Sequence, residues 1–108
     1  MADISVRDNP DRHRYEVRSD GEPAGHLAYE VDGGRMILLH TEVDPRFGGQ
    51  GLGRRLVVTA LDDAAARGLA VVPVCPYVRR VITRDAERYL HLVAEDAREE
   101  LGPAGGDG

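Results

Sequence analysis

Residues 36–61 constrain this chain more than any other stretch. They begin with four apolar residues, Met36-Ile37-Leu38-Leu39, and continue through His40-Thr41-Glu42-Val43-Asp44-Pro45. A glycine loop follows, Gly48-Gly49-Gln50-Gly51-Leu52-Gly53, and then an amphipathic segment, Arg54-Arg55-Leu56-Val57-Val58-Thr59-Ala60-Leu61. Strand, glycine loop and helix in that order aim the free N–H groups of a helix start at one point, where aligned peptide dipoles favour negative charge. Glycine inside a helix costs about 1 kcal/mol relative to alanine. Gly51 and Gly53 at the mouth therefore need a reason, and close approach of backbone to an anionic ligand supplies one.

The rest of the chain bounds what that device can serve. At 108 residues the sequence has room for one core and little for a second lobe. We expect a single domain over residues 1–101 and a disordered glycine-rich tail over 102–108. No apolar run approaches the roughly 20 residues of a membrane helix. The first residues, Met1-Ala2-Asp3-Ile4-Ser5-Val6-Arg7, lack the basic and apolar regions of a signal peptide. One cysteine, Cys75, excludes an intrachain disulfide and a cysteine-based zinc cluster. Together these predict a cytoplasmic protein. A net charge of −5 argues against general nucleic-acid binding. Any anion must then be held locally, with Arg46, Arg54 and Arg55 beside the loop to assist.

Taken in order, residues 4–7 read as a first strand, closed by the turn-prone Asp8-Asn9-Pro10-Asp11. Residues 13–18 and 23–31 form a hairpin around Ser19-Asp20-Gly21. Asp32-Gly33-Gly34 turns tightly into a fourth strand over 35–43. That strand opens apolar on both faces, which predicts helices on each side of the sheet. Its alternation would put His40 on one face with Met36, Leu38 and Glu42. Over residues 50–67 apolar positions fall at Leu52, Leu56, Val57, Ala60, Leu61 and Ala64, a 3.6-residue stripe that ends at Gly68. Residues 70–75 are a short buried strand in which Pro73 lacks a ladder donor, making one side an edge or a splay. Pro76 suits the first turn of a helix, and a last helical stretch covers roughly 85–101. The fold class is therefore α+β: four antiparallel strands, a helix, a fifth strand parallel to the fourth, and a C-terminal helix. Ligands of such sheets sit outside the carboxyl ends of the strands where neighbours diverge, and His40 and Cys75 close those two strands.

Two common phosphate loops are excluded. G-x-G-x-x-G fails because Leu56 stands where the third glycine is required, and the P-loop fails because Arg54-Arg55 replace Lys-Ser/Thr. What remains resembles the GCN5-related N-acetyltransferases, whose acetyl-CoA loop reads V-x-P-x-x-[RQ]-x-x-G-x-[GA]. Val43, Pro45, Gly51 and Gly53 match it. A closer resemblance is to small single-domain members of that superfamily, through His40-Thr41-Glu42-Val43 and the P-x-C-x-[YF] piece Pro73-Val74-Cys75-Pro76-Tyr77. It runs from about residue 15 to residue 93. Two departures accompany it. Gly48 occupies the Arg/Gln position, with Arg46 or Gln50 as substitutes, and Asp85-Ala86-Glu87-Arg88-Tyr89 replaces a His-Pro-x-aromatic piece.

The resemblance implies an acetyl-CoA-dependent N-acetyltransferase acting on a small-molecule or peptide amine. CoA would be held by Thr41, Val43, Gly48, Gly49, Gln50, Gly51, Leu52, Gly53, Arg54, Arg55, Cys75 and Tyr77. His40 is the expected general base, since only a neutral amine attacks a thioester and imidazole titrates near neutrality; Glu42 is the fallback. Cys75 either lines the thioester or attacks it, with His40 as the nearby base a thiol would need. Tyr77 either packs its helix or protonates the leaving thiolate. His13, His26 and His91 show no metal-ligand spacing, and no metal is expected. A monomer is expected, without nucleic-acid or membrane partners. The alternatives are a non-catalytic acyl-CoA-binding module and a small interaction protein.

Overall fold

In a computed structural model that describes residues 2–101, five strands form one sheet in the order β1-β2-β3-β4-β5. They are β1 (Ile4–Asn9), β2 (Arg14–Ser19), β3 (Glu22–Asp32), β4 (Arg35–Val43) and β5 (Ala70–Pro73). The first four pair antiparallel, and β5 runs parallel to β4. Helix α1 (Leu52–Ala66) crosses from β4 to β5, and α2 (Pro76–Arg84) follows β5. The tail over 102–108, expected to be disordered, lies outside the described residues.

The sheet is deeply buried on one face only. Tyr15, Val17, Leu27, Tyr29, Met36, Leu38 and Val71 are shut from solvent, while Ile37, Leu39 and Val72, pointing the other way, stay partly exposed. Cover on both faces, expected from the apolar start of β4, is thus not found among the described residues; Ile37 and Leu39 are apolar residues on a half-exposed face. Helix α1 lies on the buried face through the stripe Leu52, Leu56, Val57, Ala60, Leu61 and Ala64. Each leucine contributes about 1.5–3 kcal/mol by this burial. Gly68 ends the helix at φ 69°, and the Leu69 amide reaches back 2.9 Å to the Ala64 carbonyl, the closure a left-handed residue permits. Two buried tyrosines fasten the sheet at this side. Tyr15 donates to Asp63 of α1, and Tyr29 donates to Asp8 of β1 at 2.6 Å. Burial, then the Asp8 hydrogen bond, pushes the Tyr29 hydroxyl up to about 12.

After α2 the chain departs from the continuous helix expected over 85–101. Asp85 breaks the helical path at φ −134°, leaving a short α3 (Ala86–Tyr89) and a 3-10 turn, Leu90–Leu92. Val93 then extends and bridges Val71 in parallel, and the Ala94 amide donates to the Val71 carbonyl at 2.9 Å. Glu95–Leu101 finishes as 3-10 turns. The exposed edge of β5 has unpaired backbone groups to satisfy, and pairing at Val93 satisfies one of them where an uninterrupted helix would satisfy none.

Candidate functional site

Strand β4 outlasts its parallel neighbour. The β4–β5 ladder runs from Arg35–Ala70 to Leu38–Pro73 and stops. The amides of Val74 and Cys75 then both donate to the Leu38 carbonyl, each at 3.0 Å, as the chain turns away. Pro73, with no donor of its own, ends the ladder, and Pro76 starts α2 three residues later. Residues 40–43 keep their β3 partners and have no β5 partners. The predicted divergence between the fourth and fifth strands is therefore present, and it opens at His40.

A bulge decides which side chains face the opening. Ala28 pairs with His40 but Tyr29 pairs with Leu38, so Leu39 is an extra residue in β4. Beyond it the alternation is reversed. Thr41 sits opposite the buried Leu27, on the face that α1 covers; His40 and Glu42 sit opposite Ala28 and His26, on the half-exposed face. The simple alternation that put His40 with Met36 and Leu38 is corrected by this one residue. Thr41, not His40, meets the cysteine: its Oγ1 is 3.4 Å from Cys75 Sγ.

Cys75 is buried, 4% exposed, at the N-terminal end of α2. Burial alone would push the thiol up. The Thr41 hydroxyl, and after it the amides of Val78, Tyr77 and Thr41 turned toward the sulfur, outweigh that and hold it below its ordinary value. His40 is exposed and points to the other face, so the groups favouring the thiolate are a hydroxyl and a helix start rather than an imidazole.

The glycine loop stands against the same end of the sheet. Gly51 is the N-terminal cap of α1 at φ 71°, and Gly49 has φ 84°. Both are in the left-handed region that glycine enters without penalty. Gly51 has no side chain to cap the first turn, which leaves the leading amides of α1 without a side-chain acceptor. Gly53 has a different reason. A Cβ there would lie 3.2 Å from the Tyr77 ring, so Gly53 is small to let the start of α2 pack against the start of α1. Contacts thus run Gly53 to Tyr77, and Cys75 to Thr41, drawing loop, α2 and β4 into one locus.

The remaining expected residues divide. The Leu52 side chain is in the core and offers the site only its amide. Val43 is half-buried against the core. The Gly48 amide is used in a turn, donating to the Pro45 carbonyl at 3.1 Å. Gln50 accepts from the Ser19 hydroxyl at 3.2 Å, which ties the loop to the end of β2. Arg46 is held at 3.2 Å by Asp44 and lies over the Phe47 ring. Arg54 and Arg55 are exposed at the first turn of α1. Two cations missed in the sequence complete the picture. Arg80 and Arg84 share with Arg54 and Tyr77 a cleft of ≈ 250 Å³, Arg80 lying 5.6 Å over the Tyr77 ring. Their i, i+4 spacing on α2 was the available signal.

A larger concavity lies elsewhere, on the half-exposed face of β2, β3 and β4. It encloses ≈ 870 Å³ beside Arg12, Arg14, Glu16, His26, Glu42 and Asp44. His26 is half-buried there, and its imidazole is held below the ordinary value by burial first and by Arg14 next. The two sides of the opening are therefore unlike: uncapped amides and a depressed thiol on one, histidines with both carboxylates and arginines on the other.

Residues 14–92 match the family model described as GCN5-related N-acetyl-transferase. Protein NATD1 of Mus musculus is 31% identical over 81 residues, covering 73% of this chain and 74% of that protein. Among solved structures, the ribosomal-protein-S18-alanine N-acetyltransferase from Escherichia coli aligns with a TM-score of 0.56 at 22% identity, over 68% of this chain and 66% of that one. The N-acetylglutamate synthase from Neisseria gonorrhoeae, complexed with coenzyme A and N-acetyl-glutamate, aligns with a TM-score of 0.52 at 18% identity. That match covers 65% of this chain and 19% of the synthase. At these identities the two structures establish a common fold.

Proposed function

The chain belongs to the GCN5-related N-acetyltransferase family, and from that premise we propose that it transfers acetyl from acetyl-CoA to an amine. The observation that carries the proposal is the opening of β4 from β5 beyond Leu38–Pro73, beside the uncapped start of α1. An extended pantetheine arm needs backbone partners, and residues 40–43 offer them. A pyrophosphate needs convergent amides and cations, and the α1 start offers both. Arg54, Arg80 and Arg84 would meet phosphate charge in the cleft beside Tyr77. In place of an Arg or Gln at position 48, Gln50 steadies the loop by accepting from the Ser19 hydroxyl. The coenzyme A named with the Neisseria synthase is consistent with this use of the fold.

The acceptor amine approaches from the half-exposed face, where the large concavity lies. His40 takes its proton, with Glu42 as the neighbouring carboxylate. The neutral nitrogen then attacks the thioester carbon, the N–C bond forms and the C–S bond breaks. The sulfur leaves as thiolate beside Thr41, Cys75 and the first turn of α2, where the helix dipole already favours negative sulfur. Tyr77 acts as a wall, its ring being committed to Gly53 and Arg80. The depressed Cys75 thiol favours a second route, in which Cys75 takes the acetyl group first and passes it to the amine.

Acetyl-CoA turnover with a panel of small amines and peptides tests both. His40→Ala should lower kcat by roughly 10²–10⁴-fold, the range of a lost general base, with CoA affinity retained. Unchanged turnover in His40→Ala and in Cys75→Ala would remove both residues from the mechanism. Intact mass after incubation with acetyl-CoA in the absence of an acceptor amine separates the routes, since only the covalent one releases CoA and leaves acetyl on Cys75.

A further inference from the structure

We propose that His26, His40 and Glu42 form a site for a first-row divalent metal ion of the zinc class on the half-exposed face of the sheet. One ligand atom from each residue lies within 4.8 Å of the others, and His26 Nε2 is 3.9 Å from Glu42 Oε1. The two imidazole rings stand 6.0 Å apart, centre to centre. Zinc bound to nitrogen and oxygen at about 2.0–2.2 Å in a tetrahedron sets its ligands roughly 3.3 Å from one another. Side-chain rotation alone closes that difference, because His40 and Glu42 are exposed and His26 is half-exposed.

The bulge sets which face the constellation occupies. His26 and Glu42 are directly paired across β3 and β4, His40 stands two residues before Glu42 on the same face, and the extra Leu39 turns that face away from the core side of Met36 and Leu38. His40 follows His26 by fourteen positions, which is why no sequence spacing announced a metal site. The three side chains are also uncommitted: apart from the His26–Glu42 approach, none makes a hydrogen bond with another described residue. The nearest cation, Arg14, is engaged by Glu16 at 2.8 Å. Two imidazoles and one carboxylate suit zinc, cobalt, nickel or copper better than magnesium or calcium, which prefer oxygen. Three protein ligands would leave a fourth position for water, and two of the three, His26 and Glu42, line the concavity.

A metal bonded to the His40 imidazole occupies the lone pair that a general base uses. If His40 is that base, as the acetyltransferase reading holds, metal loading stops turnover and a chelator restores it. The site itself does not depend on that reading. The test is a Co²⁺ titration of the untagged, chelator-stripped full chain, followed by visible absorption, with Zn²⁺ displacement to follow. One equivalent should bind to the wild type and to Cys75→Ala. Binding should weaken in His26→Ala, His40→Ala and Glu42→Gln by at least the roughly 10–100-fold that losing an outer-shell partner costs. Absence of a specific equivalent in the wild type, or equal binding in the three variants, would overturn the site. Dependence on Cys75 would overturn it too, since it would move the metal to the thiol. Zinc binding that leaves acetyl transfer untouched would keep the site and overturn the use of His40 as base.

Discussion

Residues 35–38 and 40–43 are consecutive halves of one strand, separated by the single extra residue Leu39. The first half is paired on both edges, to β3 and to β5, and sends Met36 and Leu38 fully into the core. The second half is paired on one edge only, and its side chains are exposed or half-buried: His40, Thr41, Glu42, Val43. Sequence composition changes at the same point, from the apolar run Met36-Ile37-Leu38-Leu39 to three polar residues and a valine. Where the ladder is complete the strand is architecture. Where the partner leaves, the same backbone runs on with one edge unpaired by any strand, an edge that an extended ligand can complete.

That contrast can be broken experimentally, and the widest separation should come from one truncation in each half. His40→Ala should cost acetyl transfer roughly 10²–10⁴-fold while the thermal midpoint barely moves, because an exposed side chain is lost. Leu38→Ala, two residues earlier, should cost about 2–5 kcal/mol of stability, read by denaturant unfolding, with kcat of the folded fraction little changed. A reversal of the two outcomes would erase the division. Gly51→Ala should come next, at roughly 1–2 kcal/mol for forcing a Cβ into the left-handed region, together with weaker CoA binding in calorimetry. The smallest effect belongs to Thr41→Val. The Thr41 hydroxyl favours the Cys75 thiolate, so its removal raises the thiol pKa, and the midpoint of iodoacetamide alkylation against pH should move upward. A downward shift would mean that the hydroxyl does not stabilise the thiolate.

The sequence made much of this architecture legible, for reasons tied to particular residues. The stripe Leu52, Leu56, Val57, Ala60, Leu61, Ala64 repeats at the helical period and is bounded by glycines, so α1 could be read nearly to its ends. Pro76 marked where α2 starts, whereas β5, read as running over 70–75, stops at Pro73, whose missing donor ends the ladder. The bulge was not legible, because Leu39 is an ordinary strand residue and only its register with β3 reveals the extra position. The partnership of Thr41 with Cys75 followed from that register and was missed with it. The broken C-terminal path was hidden for a related reason. Val93 pairs with Val71, a long-range contact that overrides the helical character of its neighbours. Gly53 was read as clearance for a ligand, and its closeness to the Tyr77 ring is a second reason for glycine that needed the fold to be seen.

The most direct test is backbone amide exchange with and without saturating CoA. The account predicts added protection at residues 40–43 and 51–54 and at the start of α2, with β1 and β2 unchanged. Saturating CoA that leaves 40–43 and 51–54 as fast as before, or protects only the β1–β2 hairpin, would contradict the claim that the parting of β4 from β5 is the binding site.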